Sequence, residues 1–176
     1  MPSQTSLPAL ASLEFSPYLE AGQVSADYQG KIGIYAIFDA NQTLQYVGYS
    51  RDVATSLKQH LVRCPQACHW LKIQTIERPS RKLLEEIQAS WLGEADLSLG
   101  AEQIARWSQP IDAKLTMSDA EQQEYQGLDE LAQIKYLKKI ARRLEAEIQA
   151  VLADRGVTMA LRFNPKLKES GLLDLK

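Results

Sequence analysis

No stretch of this 176-residue chain approaches the ~18 consecutive apolar residues a membrane-spanning helix needs, so membrane insertion of that kind is excluded. The first residues, MPSQTSLPALASLEFSPYLEAG, lack the basic start and apolar core of a secretory signal, and a cytoplasmic setting is expected. An excess of either charge is also missing. With 20 Lys and Arg against 22 Asp and Glu, the formal net charge is -2, so any hold on nucleic acid has to come from a local patch. Cysteine and histidine are scarce, with two of each. His60, Cys64, Cys68 and His69 fall together in HLVRCPQACHW and are the right ligand types for zinc. Adjacent Cys68 and His69 would have to hold the same ion, however, and no second Cys/His group exists to close a site. Ordinary helix-end residues in a reducing compartment are the favoured reading over zinc or a sensing thiol pair. There is no internal repeat and no low-complexity segment.

The length suffices for one buried core with a smaller appended element. Residues 1–28 are punctuated by Ser and Pro, carry no base, and are read as a partly ordered arm. From Lys31 the pattern tightens: IGIYAIFD and LQYVGYS are strand-like runs joined by the turn residues DANQ, which is a hairpin with a loop longer than two residues. SRDVATSLKQHLVRC has helical spacing at Val53, Leu57 and Leu61, with Ser50 as cap and Pro65 as stop. WLKIQTIE alternates as a third strand, and Ser80 caps a helix with Leu84, Ile87 and Trp91 on one stripe. The expected fold is α+β, a small three-stranded antiparallel sheet flanked by helices in the order β-β-α-β-α. Domain limits are placed at 29–109 for this unit and 110–176 for a helical C-terminal extension. At the end of the first unit, ADLSLGAEQIARWSQP reads as a short helix that ends before Pro110, and in the extension SDAE at 118–121 reads as a capping box. A long helix follows, with Leu128, Leu131, Ile134, Leu137, Leu144, Ile148 and Val151 along one side and Gly156 at its end. VTMALRF is expected as a last strand.

GIY at residues 33–35, ten residues, then YVG at 46–48, set on a hairpin with the β-α continuation, resembles the GIY-YIG nuclease domain over roughly residues 31–94. The stretch QTLQYVGYSRDVA is most similar to a plant-plastid and cyanobacterial branch that includes the front domain of a chloroplast monothiol glutaredoxin. The resemblance implies a metal-dependent DNA endonuclease using Mg²⁺ or Mn²⁺. Tyr35 and Tyr46 would flank the phosphate and its attacking water, and Gly33 and Gly48 would give room for close approach. A glutamate on the helix after the third strand would hold the metal, which offers Glu85 and Glu86, with Glu86 preferred. The family's helix arginine falls on Ser56, leaving His60, one turn on, or Arg51 to supply a cation.

Three functions remain open at this point. The first is a nuclease, weakened by the loss at Ser56. The second is a nuclease-like fold that binds nucleic acid without cutting, through Arg51, Lys58, Arg63, Lys72, Arg78, Arg81 and Lys82, extended by the basic flank 135–143. The third is an assembly module that meets a protein partner or its own copy through the 128–152 helix.

Overall fold

The fold is α+β, centred on a four-stranded antiparallel sheet of order β1-β4-β2-β3 in a computed structural model that describes residues 7–176. Strand β1 (Ser16–Pro17) lies at the edge, β2 (Ile32–Phe38) and β3 (Leu44–Ser50) form the hairpin, and β4 (Trp70–Ile76) pairs with the other side of β2. Strand β1 adds to the three strands legible in the sequence; two residues ending in proline carry no alternation. The hairpin turn is held by Asp39, whose Oδ1 accepts from the backbone N–H groups of Asn41 and Thr43.

Helix α1 (Val53–Arg63) follows β3, and α2 (Arg81–Glu94) and α3 (Ala101–Ser108) follow β4. Then come β5 (Ile111–Asp112), α4 (Asp119–Gln126), α5 (Glu130–Asp154) and β6 (Leu172–Leu173), with β5 and β6 paired antiparallel. The Ser80 cap and the Ser118–Glu121 capping box form as the sequence indicates. The cap of α1 is Asp52 rather than Ser50. Its carboxylate accepts from the Thr55 N–H, while the Ser50 hydroxyl accepts from the Asp52 N–H one step upstream. Residues 157–163 form no strand; Phe163 makes an isolated bridge to Leu175 instead. No helix among the described residues is long and apolar enough to cross a membrane.

Strand alternation divides the interior into two layers. Ile34, Ala36, Phe38 and Val47 face α2 and its buried Leu84, Ile87 and Trp91. Tyr35, Ile37 and Leu71 face α1, and that layer continues through Trp107, Ile140 and Ile148 to Leu173. The C-terminal region therefore shares a core with the sheet. The inner stripe of α5 is Leu137, Ile140, Ala141, Ile148 and Leu152, all buried within the chain, whereas Leu131 is 66% exposed. Its apolar side is already covered by its own protein. The N-terminal segment is likewise docked: Leu10 is buried, the Trp91 indole donates to the Pro8 carbonyl, and the Tyr18 hydroxyl donates to the Leu57 carbonyl.

Two glycines are demanded by space. A Cβ on Gly48 would stand 2.7 Å from the Tyr35 hydroxyl and 2.8 Å from a Tyr46 ring carbon, and one on Gly33 would stand 2.6 Å from the Gln74 carbonyl oxygen. Gly48→Ala is expected to cost about 1–3 kcal/mol through overpacking. In contrast, Gly93→Ala in α2, where an added Cβ meets nothing within 4 Å, should gain up to about 1 kcal/mol. Urea denaturation of the two variants checks this; equal effects would mean that the tyrosine rings have slack.

Candidate functional site: a tyrosine–histidine cluster beneath Trp107

Residues opposite each other on antiparallel strands share a face, so the pairs Tyr35↔Gly48 and Ile37↔Tyr46 send both phenols toward α1. The missing side chain at Gly48 lets their rings come within 6.5 Å, centroid to centroid. Helix α1 lies over them and inserts His60, whose Nε2 is 2.6 Å from the Tyr35 hydroxyl. The imidazole centroid is 5.3 Å from that of Tyr35 and 5.1 Å from that of Tyr46. Trp107 of α3 closes the top. Its indole stacks on Tyr46 at 5.2 Å and 9° between planes, and meets His60 at 5.6 Å. Tyr35, His60 and Trp107 are 3%, 4% and 5% exposed, so bulk water barely reaches them.

Arg63, near the end of α1, adds the charge. One guanidinium nitrogen donates to the Trp107 carbonyl at 2.8 Å, and another donates to the Asp174 carboxylate at 2.9 Å. Its side chain is only 7% exposed. Burial pushes the Tyr35 and Tyr46 hydroxyls up, with Arg63 opposing in both cases, so neither phenol ionises readily. Burial first, and Arg63 second, push His60 down to about 4, which makes it a neutral imidazole at physiological pH. Such a pair can pass a proton between hydroxyl and ring but has no exposed acceptor beyond it.

The sequence candidates separate. Tyr35, Tyr46 and His60 converge, with Gly48 making the space. Arg51 does not join them; it lines a cavity of about 420 Å³ with Tyr49, Ser80 and Arg81. Glu85 is on that side too, accepting from the Tyr49 hydroxyl at 3.1 Å and from Arg81 at 2.8 Å. Tyr49 opposes Ile34, which places this group across the sheet from Tyr35. Glu86 is exposed on α2, the helix that covers that same opposite face. Of the basic residues expected at a surface, Lys72 is buried, donates to the Leu10 carbonyl and lies 4.3 Å from the Phe15 ring centroid.

The residues at the tyrosine cluster do not fit Mg²⁺ or Mn²⁺. Hard cations are held by oxygen ligands with at least one carboxylate to supply charge, and the carboxylate in contact here, Asp174, is taken by a guanidinium that would repel a second cation. No three His, Cys, Asp or Glu side chains among the described residues stand close enough to share an ion. Cys64 and Cys68 are buried, with Sγ facing the Arg106 and His60 carbonyl oxygens respectively. Burial pushes the Cys64 thiol up to about 11 and Cys68 higher still, so both are poor nucleophiles.

Arg63, Trp107 and Asp174 are the members that sequence reasoning did not assign to the site. Arg63 had a readable signal, since Ser56, His60 and Arg63 follow one another at helical spacings of four and three. Trp107 and Asp174 had none, because both arrive from distant segments.

The low pKa of His60 has a consequence for stability. Below about pH 6.5 the unfolded chain takes up a proton that the folded chain refuses, so stability falls as the pH drops from about 6.5 toward 4, by up to about 3 kcal/mol. His60→Gln should flatten this part of the profile. Denaturant titrations from pH 7 to 4.5 compare the two proteins, and parallel profiles would contradict a neutral buried imidazole.

No family model matches the chain. The chloroplastic bifunctional monothiol glutaredoxin-S16 of Arabidopsis thaliana is 31% identical to it over 86 residues, which is 49% of this chain and 28% of that protein. The chain thus spans little more than a quarter of the curated relative it matches.

Proposed function

We propose that this chain is a GIY-YIG-like domain that binds nucleic acid and, with Trp107 seated, does not cut it. What supports the absence of cutting is one arrangement: Tyr35, Tyr46 and His60 are packed beneath Trp107, while Glu85 and Glu86 stand across the sheet. Phosphodiester hydrolysis needs water, a cation and the scissile phosphate in one place; the buried Tyr35 and His60 receive none of them, and only half-buried Tyr46 keeps an open edge. The family assignment draws on the ten-residue spacing of the two tripeptides and on Gly48 as the seat of both phenols. The setting in this reading is cytoplasmic and reducing, which keeps Cys64 and Cys68 as thiols.

Binding finds its support on another surface. Lys58, Arg162 and Lys176 line a hollow of about 300 Å³, and Arg142 and Lys166 line a second of about 320 Å³. The segment 162–166 joins the two. Lys138 and Lys168 beside them are neutralised by Glu169 and Glu145, but the other five form no salt bridge among the described residues. A strip of free cations on partly concave ground suits a phosphate backbone.

The cutting alternative, with Mg²⁺ or Mn²⁺, is favoured by one observation: Arg63 brings to Tyr46 the guanidinium that Ser56 lacks. Plasmid incubation with either metal separates the two readings. Nicking by wild type is expected to stay at the level of Tyr35→Phe, and a clear excess would establish cleavage instead. Binding to labelled DNA should weaken steeply as salt rises, and the double variant Arg142→Glu/Arg162→Glu should lose at least about tenfold in affinity. Salt-independent binding would rule out the strip.

A further inference from the structure

We propose that the corner between Tyr46 and Arg63 is a latent nucleotide site, in which Trp107 and Asp174 of the same chain sit where a base and a phosphate would lie. This goes beyond the basic strip, which adjoins it where the Asn164 N–H donates to the Asp174 carbonyl, and it is tested by a different ligand.

The buried polar side-chain atoms left without a well-formed hydrogen bond among the described residues are Arg63 Nε, Asp174 Oδ1 and His60 Nδ1, the last beside a Trp107 carbonyl that already accepts from Arg63, and all three belong to this corner. Interiors rarely tolerate such atoms, and here they gather at one point. The cause is geometric. A guanidinium presents a planar fork, yet Asp174 meets it through one oxygen and one nitrogen, leaving one atom idle on each side. A phosphate, with three acceptor oxygens, would engage Nε as well as the terminal nitrogen that Asp174 now holds. The carboxylate is a poor occupant of a place that suits a larger anion.

The neighbouring place has the shape of a flat aromatic. Trp107 lies on Tyr46 at 9° between planes, and a purine or pyrimidine could lie there in its stead. The two places adjoin, because the same guanidinium that holds Asp174 also donates to the Trp107 carbonyl. One unit that joins a planar ring to a phosphate would cover both. That unit is a nucleoside monophosphate, free or within a single strand; a base held in a duplex could not leave its stack to reach Tyr46.

The present occupants come from segments outside the four-stranded sheet. Helix α3 has eight residues, of which Trp107 is the one buried, and cavities of about 510 Å³ and 690 Å³ open on either side of Arg63. Glu102, the acidic residue of α3 beside the larger cavity, would leave with the helix. Asp174 follows β6 in the final segment, so its release leaves the four-stranded sheet untouched.

The test measures adenosine monophosphate, adenosine and inorganic phosphate binding to the full chain by calorimetry, for wild type, Trp107→Ala, Asp174→Asn and Arg63→Gln/Asp174→Asn. Asp174→Asn is nearly isosteric and serves if Trp107→Ala does not fold. Adenosine monophosphate is expected to bind Asp174→Asn at least tenfold more tightly than wild type, with adenosine and phosphate each gaining less, and Arg63→Gln should erase the gain. The proposal is overturned if folded Asp174→Asn binds adenosine monophosphate no better than wild type, or if the gain survives Arg63→Gln. The same measurement in the Arg142→Glu/Arg162→Glu background keeps the two ideas apart. A gain that persists when the strip proves irrelevant to DNA binding supports the latent site alone. A missing gain beside intact DNA binding removes the latent site alone.

Discussion

The guanidinium of Arg63 joins three parts of the chain that lie far apart in sequence. It projects from α1, holds the last turn of α3 by the Trp107 carbonyl, and holds the terminal segment by Asp174, 111 residues away. Because both charged partners are largely buried, neither can be lost without leaving the other uncompensated, a defect that typically costs about 3–5 kcal/mol. Arg155 performs a similar task at the end of α5, donating to the backbone carbonyls of Pro65 and Cys68. The C-terminal half is thus fixed to the sheet by basic side chains turned inward. That is why a segment read as an extension shares its core with the rest.

This arrangement changes the meaning of the paired Tyr-Gly motif. Gly48 is needed because the Tyr35 ring lies over it, and Gly33 because β4 passes close by. Both glycines would be required in a protein with no chemistry at all. The phenols themselves reach one wall, but that wall is covered by Trp107 and His60, with only Tyr46 left partly open to solvent. A motif can therefore preserve its packing logic while its surroundings decide whether anything enters.

Much of the scaffold was legible in the sequence. The hairpin, α1, β4, α2 and α5 followed from period-two and helical patterns with their caps, because each is governed by residues close together in the chain. The convergence of Tyr35, Tyr46 and His60 was legible for the same reason. The glutamates show where such reasoning stops: Glu85 and Glu86 lie on a recognisable helix, but which sheet face that helix covers is set by tertiary packing. Lys72 belongs to the same class. Its charge looked like surface until Leu10 and Phe15, more than fifty residues upstream, folded over it. Trp107 carried no local mark distinguishing a lid from an ordinary amphipathic helix residue.

The fastening of Thr158 to the turn at Ala21 and Gly22, a separation of 137 residues for the hydroxyl bond, bears on how the molecule is made. Together with the Arg63 tie it gives the native state many distant pairings, which slow folding because long loops must close first. During synthesis the hairpin and α1 emerge well before the partners that cover Tyr46 and Arg63. A nascent chain therefore exposes an aromatic, cationic face until Trp107 and then Asp174 have been made and can fold back over it.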